Sequence, residues 1–231
     1  MRKQIEWFLG VWWTVIVRPI FFYTKLKEEE WKGKSLTFFL VNTWVLALVA
    51  TVVIYVTQYI PVGSALVEGI SGLKFVLILP VLLTLIFVFF LITVLILEGG
   101  FAFSFFILFF LVGYLLHYTC LFLGGKGSLN RMLQSMFYSS AVMLFGVVVP
   151  LLMILTGYGK LDFTLFRAGF GFIYVLVLIY AYGLWAVAAR KTYGVPKWKA
   201  FLGAIVPIII LLIFGVLFDK MALLKLEPWI S

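Results

Sequence analysis

LKFVLILPVLLTLIFVFFLITVLIL, residues 73–97, followed by Glu98-Gly99-Gly100 and then by FAFSFFILFFLVGYLLHYTCLFL, residues 101–123, is the stretch on which the architecture turns. A helix rises about 1.5 Å per residue, so roughly 17 to 25 apolar residues cross a hydrocarbon core about 30 Å thick. Each half of the stretch meets that length. So do four others, at 36–60, 132–156, 163–189 and 201–218. Water is absent from the bilayer interior, so backbone amides and carbonyls must pair within each segment, and the segments are helices. A membrane barrel needs alternating polar positions, which these stretches lack. The expected fold class is all-α: a polytopic helical membrane protein with about six embedded helices.

Composition agrees. Of 231 residues, 65% are hydrophobic and 12% charged, far from soluble usage. The formal charge of +9 does not point to nucleic acid, because the Lys and Arg residues stand in short segments beside the apolar stretches. Anionic lipid headgroups are the expected counter-charge. The single cysteine, Cys120, excludes a disulfide framework and a cysteine-rich metal site within one chain.

Residues 1–35 form a separate region ahead of the bundle at 36–231. Arg2 and Lys3 followed by residues 7–17 imitate a signal peptide, but Arg18-Pro19 stands where small cleavage-site residues belong. Ile5, Phe8, Leu9, Trp12 and Ile16 recur at helical spacing with Trp7, Trp12 and Trp13 nearby, which predicts an amphipathic helix lying at the interface. After it comes Lys25-Leu-Lys-Glu-Glu-Glu-Trp-Lys-Gly-Lys34, read either as a solvated linker or as a docking surface for a soluble partner.

Topology follows from where cations accumulate, since short cytoplasmic loops carry the excess. Seven stand before residue 36 and four more in the loop Arg190 to Lys199. If all six stretches cross, the two groups fall on opposite sides. If residues 73–123 cross only once, the groups share a side with Lys126 and Arg131, which gathers 13 of the 18 Lys and Arg. Charge therefore prefers five crossings. Length prefers six, with Glu98-Gly99-Gly100 as a tight connection and Pro80 as a kink in the helix before it.

The order of motifs resembles the Yip domain family of Rab/Ypt-GTPase-interacting membrane proteins and their prokaryotic relatives. An amphipathic segment ends in Arg18-Pro19-Ile-Phe-Phe ahead of a charged stretch. His117 precedes Gly124-Gly125-Lys126-Gly127-Ser128; Tyr138-Ser139-Ser140-Ala141 opens the next helix, with Pro150 beyond; and Lys199-Ala200 with Pro207 marks the last helix. Two departures stand out: Val142 sits near a position where the family often carries proline, and an apolar stretch is added before His117. The resemblance implies a membrane protein usually drawn with five crossings, whose eukaryotic relatives associate with Rab-type GTPases in vesicle trafficking and with one another. As its motif residues it implies Pro19, His117, Gly124, Gly125, Tyr138, Ser139, Pro150 and Pro207.

Residue by residue, the chemistry is modest. Gly124, Gly125 and Gly127 permit a sharp turn, while Gly-Gly-Lys-Gly-Ser lacks the spacing of a nucleotide-binding P-loop. His117, with no carboxylate in an apolar stretch beside it, suits a helix–helix hydrogen bond rather than a relay or zinc site. Tyr138, Ser139 and Ser140 are expected to pack between helices, and Pro150 and Pro207 to interrupt theirs. Arg167 either snorkels to the nearer surface or binds substrate in a polar cavity. Arg18, Lys126, Arg131, Arg190 and Lys191 are the candidate headgroup contacts.

No nucleophile–base pair, carboxylate pair or His-rich pattern is legible, so no catalytic, metal or cofactor residue is assigned, and the protein is expected to be a non-enzyme. Two classes compete. One is a scaffold or adaptor in membrane organisation or trafficking-like processes, with membrane lipids, a protein partner or a second copy as its companions. The other is a small lipid, ion or solute transport protein, which a continuous polar cavity between the two faces would favour. The early first apolar stretch favours a prokaryotic cell membrane with a cytoplasmic N-terminus over a eukaryotic endomembrane.

Overall fold

The computed structural model describes residues 2–70 and 72–230; the side chains of Arg2, Leu66, Trp229 and Ile230 lie outside the described set, so the Arg2 contribution to the basic cluster does too. Among the described residues every regular element is helical. Helix α1 (Arg2–Val17) and α2 (Pro19–Lys25) bend by 117° at Arg18, and Pro19, which has no N–H, starts α2 where a backbone N–H would find no partner within the helix. Helix α3 (Lys34–Ile54) passes through a π-helical turn at Tyr55–Tyr59 into α4 (Ile60–Val67). Then follow α5 (Leu73–Phe122), α6 (Leu129–Ser139), a 3₁₀ segment (Ser140–Val147), α7 (Val148–Gly157), α8 (Phe163–Tyr193) and α9 (Lys197–Met221), with the short α10 (Glu227–Ile230) last.

Five of these units are long and apolar enough to cross a bilayer, six if the bent α1–α2 pair is counted as one. The expected connection at Glu98-Gly99-Gly100 is not there. All three residues lie inside α5, one helix of 50 residues and about 75 Å, and Pro80 also lies within it. The reason is physical: glycine weakens a helix by about 1 kcal/mol relative to alanine, but unwinding it among apolar neighbours would orphan several backbone groups.

Hydrogen bonds between loops fix the order of the ends. The amide of Lys126 donates to Tyr193 O at 3.0 Å, and Lys199 Nζ donates to Leu123 O at 2.8 Å, so the α5–α6 and α8–α9 loops meet. Gln134 Nε2 donates to Lys27 O at 3.1 Å, which brings the segment before α3 to the same end. At the other end Tyr158, just after α7, donates to Val56 O at 3.4 Å. There too Arg167 of α8 grips Asp219 of α9 through Nε (2.6 Å) and Nη2 (2.5 Å). Arg167 is thus a tie between helices, half-buried, and not a ligand in a polar cavity. The long helices alternate in direction, residues 73–122 form one helix, and both groups of loop cations share one end, the arrangement that the charge distribution prefers.

The core lies where α3, α5, α6, the 3₁₀ segment and α8 converge, filled by Phe38, Phe39, Leu116, Met132, Phe137 and Trp185. Helix α1 packs on it with Phe8, Val11, Trp12, Val15 and Ile16. Ile5 and Leu9, read from the sequence onto that same face, are exposed with Trp13 and Val17. The helix is apolar on two sides, one turned to the bundle and one away from it.

Candidate functional site

The basic end is built in two parts. The first is the loop between α5 and α6. Gly124 ends α5 with φ +87°, a conformation that side chains avoid. Gly125 and Gly127 are required by space: a Cβ on Gly125 would stand 2.8 Å from Tyr193 Cβ and Val195 Cγ1, and one on Gly127 2.5 Å from Thr192 O. The loop therefore lies flush on the end of α8. His117, about two turns before the loop, meets the Tyr193 hydroxyl through Nδ1 at 2.5 Å, and the buried Cys120 accepts the Gly125 amide on its carbonyl at 2.9 Å. Ser128 then caps α6, its hydroxyl accepting from the Arg131 amide at 3.1 Å.

The second part is the charged stretch. Residues 26–30 are irregular, and a turn at 31–33 closes with the Gly33 amide on Glu30 O at 3.1 Å. Irregular does not mean loose here. Asn130 accepts from the Trp31 amide (3.2 Å) and donates to Glu29 O (3.0 Å); Gln134, one helical turn on, accepts from the Glu29 amide (3.4 Å) and donates to Lys27 O (3.1 Å). Arg131 Nη2 adds a bond to Leu26 O at 3.4 Å, and the Ser128 hydroxyl bonds Glu28. Trp31 closes the segment by stacking on Phe137 with ring centres 5.4 Å apart. The segment is a strap on α6 that spends its backbone on the helix and leaves Lys27, Glu28, Glu29, Glu30, Lys32 and Lys34 exposed.

Beside the strap an open groove of about 320 Å³ has an aromatic floor that includes Trp7, Phe21, Phe22 and Tyr138, and a rim with Lys25, Lys27, Lys34 and Glu29. Lys34 pairs with Glu29 at 3.5 Å, which leaves a cationic excess on that rim.

The structure brings together His117, Gly124, Gly125 and Lys126 in the loop clamp. It places Tyr138, Ser139 and Ser140 one layer deeper. Tyr138 packs on Phe22 and Phe38, Ser139 accepts from Trp185 Nε1 at 3.0 Å, and Ser140 accepts from Asn42 Nδ2 at 3.0 Å. Pro150 and Pro207 are buried away from this end, the first just after the 3₁₀ segment and the second inside α9. Of the headgroup candidates, Arg18, Lys126 and Arg190 are exposed, while Arg131 and Lys191 are half-buried. Sequence reasoning missed Asn130, Gln134 and Tyr193. Asn130 and Gln134 did leave a trace: two amides four residues apart on one helix face, just after a serine cap.

Five alternating apolar helices, a bent helix pair laid on the bundle and a stitched basic end define a polytopic α-helical integral membrane protein. The Yip1 domain model matches residues 13–218, nearly the whole chain, and the protein belongs to that family, a generally non-catalytic membrane family. No curated protein and no solved structure matches.

Proposed function

We propose that this protein is a non-catalytic membrane scaffold whose basic end rests on anionic headgroups and presents the strap to a soluble partner. One observation carries the reading: a segment with seven charged residues among ten (25–34) is held down through its backbone by α6 side chains while its charges point outward. A linker has no need of such fixation, whereas a recognition surface gains from it, because a pre-ordered segment loses less entropy on binding. By the positive-inside rule the strap end is cytoplasmic, with Arg18, Lys126, Arg190 and Lys191 at headgroup level.

The test places a photo-crosslinking residue at Lys32, and as control at Tyr158 on the opposite end, in the native membrane. The scaffold reading expects a discrete adduct from Lys32 that disappears when Glu28 and Glu30 are both changed to Lys, and no adduct from Tyr158. It is refuted if Lys32 gives none beyond the control, or if purified protein in liposomes moves ions, solutes or lipid between the two sides.

A further inference from the structure

The most apolar helix of the chain holds one carboxyl group. Glu98 is 7% exposed, and no other charged residue lies between Lys74 and Lys126. Its Oε1 stands 2.8 Å from Thr43 Oγ1 of α3, and its Oε2 has no hydrogen-bond partner. A buried carboxylate in that setting would be charged, half-satisfied and without a counter-ion.

Hydroxyl bookkeeping bears on which atom carries the hydrogen. A threonine or serine hydroxyl has one hydrogen to donate and lone pairs to accept with. Ser139 spends its hydrogen on Met136 O (2.7 Å) and accepts from Trp185; Ser140 spends its own on Phe137 O (2.6 Å) and accepts from Asn42. Thr43 is placed the same way, with Oγ1 2.8 Å from Leu40 O, a carbonyl that can only accept. One hydroxyl hydrogen cannot fully serve both Leu40 O and Glu98 Oε1, each 2.8 Å away, and a hydrogen on the carboxyl satisfies both contacts at once. We propose that Glu98 is a neutral carboxylic acid, an intramembrane proton site that donates from Oε1 to Thr43 and so pins α5 to α3.

Among the described residues no Lys, Arg or His forms an ion pair with Glu98: Arg131 bonds Leu26 O, Arg167 grips Asp219 and Lys199 bonds Leu123 O. Tyr55 is bonded to Ile86 O, Tyr174 to Leu211 O, Tyr180 to Ile16 O and Tyr182 to Phe201 O, while Lys34, nine residues from Thr43, is paired with Glu29. Loss of the proton would make the Thr43 hydroxyl turn its hydrogen from Leu40 O to a buried carboxylate whose Oε2 stays without a partner. The α3–α5 seam therefore loosens when the acid ionises, and it does so beside Gly99 and Gly100, where added Cβ atoms would meet nothing within 4 Å and the helix has room to flex.

The experiment is infrared spectroscopy of the full chain in lipid nanodiscs, as wild type minus Glu98→Gln. Gln keeps size and a donor to Thr43 but has no carboxyl. The expected difference at neutral pH is a protonated-carboxyl C=O band, moved to higher frequency in Thr43→Val, where the acceptor is gone. As pH rises the band gives way to carboxylate bands, and the wild type loses thermal stability relative to Glu98→Gln, whose amide keeps its donor to Thr43 at every pH. A carboxylate signature at neutral pH, or a protonated band indifferent to Thr43→Val, overturns the proposal. Should Glu98→Gln fail to accumulate, the same band is read from wild type against Thr43→Val alone, with the same two outcomes.

Discussion

Replacing Asn130 by alanine removes two hydrogen bonds from the strap at once, the one it accepts from the Trp31 amide at 3.2 Å and the one it donates to Glu29 O at 3.0 Å. One of the two is partly buried and one exposed, and at about 1 kcal/mol net for each the strap loses up to about 2 kcal/mol of attachment while the helices below are untouched. At about 1.4 kcal/mol per tenfold change, the detached population rises up to about 30-fold. Trypsin reads this directly, because Lys25, Lys27, Lys32 and Lys34 lie in the segment and cleavage follows the open population when reattachment is fast. Nicking of nanodisc-embedded Asn130→Ala before α3 is expected up to about 30-fold faster than in wild type. Asn130→Asp keeps the acceptor for Trp31 but sets a carboxylate against Glu29 O, and falls between the two. A change below about 3-fold in Asn130→Ala would show that Trp31 and its aromatic neighbours hold the strap without α6, and the pinning argument would fail.

Gly127→Ala forces a Cβ onto the Thr192 carbonyl and is expected to cost upwards of about 2 kcal/mol, seen as a lowered melting temperature or lost folded yield, whereas Gly99→Ala, with open space around it, gains up to about 1 kcal/mol of helix propensity. The opposite order would mean that the α5–α6 loop does not lie on α8. Tyr193→Phe strips the partner of His117 and lowers stability by about 1 kcal/mol, a fall of about 2–4 °C in detergent melts, and His117→Phe adds nothing further in the double variant if the two act as one pair.

Much of this architecture was legible because lipid leaves few choices. Length and apolarity marked the spanning segments, the cation pattern preferred the five-crossing order, and the Gly-rich segment was a tight turn between helices. Glu98-Gly99-Gly100 misled because glycine pairs punctuate chains in water, where freed backbone groups find solvent; among apolar neighbours the helix continues and carries its carboxyl inward to Thr43. Continuity across residues 73–122 was the missing fact, and with it Glu98 stops being a loop residue and becomes the lone acid of a long apolar helix. The face of α1 was misassigned for a related reason, since a helix apolar on two sides gives no single direction to its pattern. The strap stayed hidden because backbone-to-side-chain bonds across about 100 residues leave no local periodicity: Lys25 to Lys34 looks the same whether loose or pinned.

The arrangement stands or falls on which loops share a side. With Cys120 replaced by serine, single cysteines at Lys32, Lys126, Arg190 and Lys160 are labelled by a membrane-impermeant maleimide from either face of oriented vesicles. Five crossings place Lys32, Lys126 and Arg190 on one face and Lys160 on the other. Labelling of Lys32 from the face opposite Lys126 and Arg190 would mean that residues 73–123 cross twice, and the bundle described above would be wrong.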